Sequence, residues 1–204
     1  MDNSRRQFLF TVGGLTAGGL VLWRLRSGIS GPVVDASPAS VADPAAEPAP
    51  VPASMVRVVL FDDHGKRLGV RTLAKVVKTE VEWQKQLNLL QFEVTRRAGT
   101  ERPFSNAYDE NKEPGLYRCI CCDTALYDAK TKFDSGTGWP SFWAPIAKEN
   151  ISISTDTTLG VARDEVSCVL CSAHLGHVFD DGPAPTGLRY CMNSAAMRFI
   201  AYGK

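Results

Sequence analysis

Two short cysteine pairs, Cys119-x-x-Cys122 and Cys168-x-x-Cys171, stand 45 residues apart and constrain this chain more than any other feature. Each pair places two thiolates on one tight turn, and four thiolates are what a closed tetrahedral zinc site takes, as in the two knuckles of a zinc ribbon. A structural Zn2+ held there would pin the ends of the intervening segment together with on the order of 10 kcal/mol of binding free energy. Two redox-active C-x-x-C disulfides are the competing reading, which export to an oxidising compartment favours. Cys121 could displace a neighbour as ligand, but the mirrored spacing of the second pair selects Cys119 with Cys122 and leaves Cys121 as a small packed side chain. The run Cys171-x-x-His174-x-x-His177 also offers imidazole ligands. With four cysteines completing the set, His174 reads as a structural hydrogen-bonding residue and His177 as an acid or base.

That arithmetic leaves Cys191 over, in the run Gly187-Leu188-Arg189-Tyr190-Cys191-Met192-Asn193-Ser194. Neither metal nor disulfide pairing has a use for it, which makes it a candidate nucleophile. An unperturbed thiol of pKa about 8.5 is only roughly 3% thiolate at pH 7, so activation by a nearby cation is expected, with Arg189 next but one in sequence.

The chain opens differently from the way it continues. Ser4-Arg5-Arg6-Gln7-Phe8-Leu9 resembles a twin-arginine export signal and leads into an apolar stretch from Phe8 to Trp23. As a helix that stretch would reach about 24 Å, short of a hydrocarbon core of about 30 Å. Residues 1–30 are therefore expected to be a signal, or an anchor if uncleaved, giving a periplasmic or exported protein with a membrane tether in the second case. Residues 31–54 carry six prolines among Ala, Val and Ser and read as an extended linker.

Residues 55–204 are expected to form one domain. The full chain carries 23 Lys and Arg against 22 Asp and Glu. Its first 26 residues hold Arg5, Arg6, Arg24 and Arg26 against Asp2, so the remainder is near −2. That balance offers nothing to neutralise phosphates and excludes nucleic acid as a partner.

Val56 to Phe61 and Lys66 to Val70 flank the turn-rich Asp62-Asp63-His64-Gly65 and predict a β-hairpin, with His64 solvated at its tip. Thr79 with Glu82 predicts a capping box ahead of Trp83, Leu87 and Leu90 on one helical face, and Asn88 with Gln91 opens a second short helix that Gly99 stops. From Leu116 onward short alternating runs, Ile151 to Ser154 and Arg198 to Tyr202 among them, predict strands. The fold expected is mainly β, of antiparallel sheets with short N-terminal helices.

Four longer runs converge on one family. Ala98-Gly99-Thr100-Glu101-Arg102-Pro103-Phe104, Gly136-Thr137-Gly138-Trp139-Pro140-Ser141-Phe142, His174-Leu175-Gly176-His177-Val178-Phe179-Asp180-Asp181-Gly182-Pro183 and Arg189-Tyr190-Cys191-Met192-Asn193-Ser194 together resemble the B-type methionine sulfoxide reductases, over about Val77 to Tyr202. The resemblance implies a zinc-ribbon-bearing β-tent whose zinc lies away from the catalytic centre, and peptide-methionine (R)-S-oxide reductase activity. It implies that Cys191 attacks the sulfoxide sulfur and becomes a sulfenic acid, and that His177 supplies protons. Asp181 and Asn193 then match positions that orient substrate, thiolate or water, with Trp139 cradling the S-methyl group and His174 on the substrate side.

The implied partners are an oxidised protein or peptide and a thioredoxin-like reductant, and the chain is expected to act as a monomer. Where many members carry a resolving cysteine this chain has Thr137, so direct attack of a reductant on the sulfenic acid is expected, with Cys121 the alternative resolver. Two further functions compete. A non-catalytic zinc-ribbon interaction module leaves Cys191, His177 and Trp139 unused, and a general thiol oxidoreductase requires redox-active Cys119 and Cys122.

Overall fold

The computed structural model describes residues 54–157 and 162–203. The twin-arginine-like stretch, and the linker short of Ser54, lie outside the described residues. Among the described residues no helix is long and apolar enough to cross a membrane.

The hairpin forms as the turn predicts. Strands β1 (Met55–Phe61) and β2 (Arg67–Ala74) pair antiparallel, with Asp62 Oδ1 accepting from the backbone N–H of His64 and Lys66 to close the turn, and His64 is exposed. Two helices follow, α1 (Glu80–Gln86) and α2 (Leu89–Arg97), each opened by a reciprocal capping box at Thr79–Glu82 and Asn88–Gln91. Leu87 takes an extended conformation that ends α1 after two turns, so the expected single apolar face breaks. Trp83 and Leu87 are buried while Leu90, now on α2, is exposed. Ala98 stops α2 in a left-handed conformation one residue before the expected Gly99.

The remaining nine strands make two antiparallel sheets. In the three-stranded sheet, β3 (Gly115–Cys119) lies between β4 (Ala125–Asp128) and β11 (Met197–Ala201). The six-stranded sheet contains β5 (Lys132–Phe133), β6 (Ser141–Phe142), β7 (Ile151–Asp156), β8 (Arg163–Cys168), β9 (His174–Phe179) and β10 (Arg189–Met192), in the order β5-β6-β10-β9-β8-β7. Mainly antiparallel β with two short leading helices is the observed class.

Aromatic rings join the two sheets. Phe142 of β6 stacks on Tyr127 of β4 at 4.4 Å and meets Tyr117 of β3 edge-on at 5.0 Å, and all three are fully buried. Such pairs add about 0.5–1.5 kcal/mol each beyond their area. Strand β10 alternates accordingly, burying Tyr190 and Met192 in this core and turning Arg189 and Cys191 to the other face.

A buried amide helps tie the hairpin to the sheets. Asn150, fully buried, accepts from Val59 N–H at 2.8 Å and donates to the carbonyls of Val59 at 2.9 Å and Ala125 at 2.8 Å. Asn150→Ala would strand one donor and two acceptors in a dry site, at about 1–3 kcal/mol for each group that water cannot reach. We expect a loss of about 2–4 kcal/mol, read as a lowered urea midpoint with unchanged slope. A midpoint equal to wild type would show that the hairpin is not held through this residue.

Candidate functional site

The centre of the site is a row of side chains across the six-stranded sheet. Cys191 on β10 stands directly opposite Ser141 of β6 on one side and His177 of β9 on the other, and Glu165 of β8 stands opposite His177. Directly opposed residues in antiparallel strands share a face, so these four side chains come from separate stretches of sequence to one line. Gly176 makes the close approach of β9 and β10 possible, since a Cβ there would fall 2.1 Å from the Cys191 carbonyl oxygen.

A cavity of about 140 Å³ opens over this row, with Cys191, His177, Trp139, Asn193, Thr100 and Arg163 among its walls. A larger depression of about 660 Å³ borders Gly136 and is lined mainly by charged side chains, but it contains neither the thiol nor an imidazole. The chemistry belongs to the smaller cavity.

Burial pushes the Cys191 thiol above its ordinary value, and Arg189 with the Thr137 and Ser141 hydroxyls pulls the other way without prevailing. The cation expected to activate Cys191 is thus in place, but desolvation outweighs it. Arg189 is fixed by Asp181 in a bidentate pair at 2.8 and 2.9 Å and lies over the Phe179 ring at 4.4 Å. Asp181 itself is largely exposed and stands off the cavity wall; its contact is with the guanidinium.

His177 is held from behind. Its Nε2 lies 3.0 Å from Asp156 Oδ2, and that oxygen also accepts from Arg163 Nη2 at 2.6 Å. An ionised carboxylate only accepts, so the neutral ring carries its proton on Nε2 and leaves Nδ1 as the basic nitrogen. His174 is buried below the wall, its Nδ1 2.6 Å from Glu165 and its ring 5.4 Å from that of His177. Burial holds the His174 pKa below its ordinary value. It supports the site from beneath and does not line the cavity.

Asn193 does line it, although its amide is committed to the backbone, accepting from Glu101 N–H at 3.0 Å and donating to Leu175 O at 3.1 Å. Glu101 is a buried hub that sequence reasoning quoted in a motif but assigned no role. Its carboxylate accepts from Ser194 and Ala195 N–H at 2.7 and 2.8 Å, and its carbonyl accepts from Trp139 Nε1 at 3.1 Å. One acidic residue therefore sets both the turn after Cys191 and the plane of the Trp139 ring. Asp156, Arg163 and Glu165 were also missed, since nothing local distinguishes them from solvated strand residues.

The two cysteine pairs meet elsewhere in the domain. The Sγ atoms of Cys119, Cys122, Cys168 and Cys171 all lie within 4.8 Å of one another, with cross-pair separations of 3.6 Å (Cys119 to Cys171) and 3.5 Å (Cys122 to Cys168). A tetrahedron built on metal–sulfur bonds of about 2.3 Å needs roughly 3.7 Å between sulfurs, so the four could hold a metal ion. Both turns are built alike: Asp123 N–H donates to Cys119 O and Ser172 N–H to Cys168 O, with Asp123 and Ser172 in left-handed conformations. None of the six cysteines is in a disulfide, and sulfurs of opposite pairs approach one another as a shared metal requires. Cys121 is buried against Cys119 and Cys171 and lies outside the set of four.

Comparison with known proteins gives a consistent answer. A SelR domain matches residues 87–201. The chain is 54% identical to a peptide methionine sulfoxide reductase MsrB from Hahella chejuensis over 125 residues, which are 61% of this chain and 90% of the relative. It is also 54% identical to an MsrB from Pseudomonas putida strain GB-1, across 61% of this chain and 95% of that one. Peptide methionine sulfoxide reductase B1, chloroplastic, from Arabidopsis thaliana matches at the same identity over 62% of each chain. The hairpin β1–β2 falls before the matched domain.

Proposed function

The chain belongs to the SelR-domain family of peptide methionine sulfoxide reductases, and on that premise we propose that it reduces the R epimer of methionine sulfoxide in oxidised peptides or proteins through Cys191. The observation that carries this reading is the opposition of Cys191 and His177 on adjacent strands, under a cavity walled by Trp139.

The Cys191 sulfur attacks the sulfoxide sulfur while the thiol proton passes through His177 Nδ1 to the sulfoxide oxygen. The protonated oxygen then moves to the Cys191 sulfur as the substrate sulfur's bonds to oxygen and to Cys191 break. The substrate sulfur gains two electrons and becomes a thioether, and Cys191 loses two and becomes a sulfenic acid. Asp156 and Arg163 fix the tautomer that makes His177 the carrier. Arg189, aligned by Asp181, supports the thiolate character that attack requires.

Trp139, held in plane by the Glu101 carbonyl, offers an apolar wall for the S-methyl group. With the methyl group on that wall and the oxygen towards His177, only one sulfoxide epimer presents its sulfur to Cys191. A reducing thiol then attacks the sulfenic acid and releases water. A second thiol cleaves the mixed disulfide and returns Cys191 as thiolate. Direct reduction is favoured because the side chains against the Cys191 thiol are Arg189, Thr137 and Ser141, while Cys121 packs against Cys119 and Cys171.

The four clustered cysteines would hold Zn2+, which supplies a structural cross-link and no step of the reaction. The Arg5-Arg6 stretch supports a reading in which the domain works outside the cytoplasm and a thioredoxin-like or other extracytoplasmic thiol reduces it. Turnover of R- and S-sulfoxide peptides with dithiothreitol tests the proposal. We expect the R epimer to be consumed and the S epimer to be left, and absence of R turnover in metal-loaded protein would overturn it.

A further inference from the structure

Three hydroxyls beside Cys191 take no part in the reaction as described. Ser135 Oγ lies 2.8 Å from Thr137 Oγ1 and 2.8 Å from Ser141 Oγ, and Ser141 Oγ reaches the Trp139 carbonyl at 3.1 Å. Ser141 is fully buried and stands opposite Cys191 across the sheet. Ser141 shares a face of the sheet with Cys191, and a hydrogen bond from the Thr137 or Ser141 hydroxyl would favour the ionised form of its thiol. Among the described residues the Ser135 hydroxyl hydrogen-bonds to those two hydroxyls alone.

Each hydroxyl has one proton to donate, which fixes how the chain can be arranged. With Ser141 donating to the Trp139 carbonyl, Ser135 must donate to Ser141 and Thr137 to Ser135, which leaves a Thr137 lone pair available to a thiol proton. When Cys191 is a thiolate, Thr137 can rotate its proton onto the sulfur, and Ser135 can supply either neighbour. The change needs only hydroxyl rotations and no movement of heavy atoms.

We infer that Ser135, Thr137 and Ser141 form a reversible hydroxyl relay that solvates the Cys191 thiolate, both before attack on the sulfoxide and as the leaving group when a reducing thiol cleaves the mixed disulfide. The inference rests on the reading of Cys191 as nucleophile. In the second exchange the reductant thiolate forms a bond to the reductant sulfur of the mixed disulfide, the bond to Cys191 breaks, and its electron pair remains on Cys191. A thiolate stabilised in place leaves faster, which suits a chain whose regeneration depends on thiols from outside. In the relay Thr137 and Ser141 would turn their protons to the reacting sulfur, and Ser135 acts only through them as a positioning residue.

The test is the pH dependence of Cys191 alkylation by iodoacetamide in metal-loaded protein, located by peptide mass. The ionisable groups that bear on the thiol are Arg189 with its partner Asp181 and, across β9, His177 backed by Asp156 and Arg163; Asp134 is occupied by Gly136 N–H. All of these are unaltered in the variants. Thr137→Val should raise the alkylation midpoint and cut the rate at pH 7 roughly tenfold, the loss of one charge-assisted hydrogen bond.

Ser135→Ala should shift the midpoint in the same direction by a smaller amount, although it removes no atom in contact with the sulfur. Thr137→Ser, which restores the hydroxyl, should return the wild-type midpoint and serves as the folding control. The wild-type midpoint in Thr137→Val and Ser135→Ala would overturn the relay. Failure of the underlying reading is separate, because turnover would then survive Cys191→Ser.

Discussion

Cys191→Ser is expected to reduce methionine sulfoxide turnover by at least roughly 10⁴-fold, the scale seen when a nucleophile that acts in concert with its base is removed. A serine hydroxyl can neither donate two electrons to the sulfoxide sulfur nor hold the transferred oxygen in a form that thiols reduce. The effect should be confined to chemistry. Cys191 faces the cavity while its neighbours Tyr190 and Met192 fill the core, and the isosteric exchange leaves β10 paired to β6 and β9. Thermal midpoint and metal content should therefore match wild type, and a variant that lost turnover by unfolding would be recognised by both. The same comparison excludes a non-catalytic zinc-ribbon module, for which this substitution would change nothing.

Metal removal is expected to act in the opposite way, through the fold. The four-sulfur cluster joins the β3–β4 turn of the three-stranded sheet to the β8–β9 turn of the six-stranded sheet. Structural Zn2+ at such sites contributes an apparent 10–16 kcal/mol or so, against a total stability of about 5–15 kcal/mol for an ordinary domain. Chelation should thus abolish the cooperative thermal transition in circular dichroism and lower activity in proportion to metal lost. Cys168→Ala should do the same without chelator, because three thiolates do not close a tetrahedron. The β8–β9 turn also leads directly into His174 and His177, so activity should fail before global unfolding during slow chelation. Metal-free protein with the wild-type midpoint would contradict the structural role, as would elemental analysis without zinc.

Much of this architecture is written in local signals. Both helix starts could be read from Thr79–Glu82 and Asn88–Gln91, because a capping box is satisfied within four residues. The cysteine spacing likewise carries its own geometry; it leaves Cys121 and Cys191 over, and the motif around Cys191 singles it out. Leu90 was misassigned because apolar spacing at helical period continues across the extended break at Leu87, where propensity gives way to the second cap.

The site was legible in its chemical groups and not in their support. Glu101 and Asn193 meet across 92 residues, and Asn150 meets Val59 across 91. Such pairings follow from strand register and sheet packing, which no local window contains. Asp156 and Arg163 read as ordinary strand residues until the β7–β8–β9 register brings them behind His177. Thr137 could be recognised as a missing cysteine, but its link through Ser135 to Ser141 depends on the close approach of the loop to β6.

A single turnover without reductant tests the central claim most directly. Metal-loaded protein mixed with one equivalent of R-sulfoxide peptide should release one equivalent of reduced peptide and leave a sulfenic acid on Cys191, which dimedone converts with loss of water to a thioether located by mass. Formation of a Cys191–Cys121 disulfide would contradict direct reduction, and release of reduced peptide with Cys191 unmodified would contradict the role assigned to Cys191 itself.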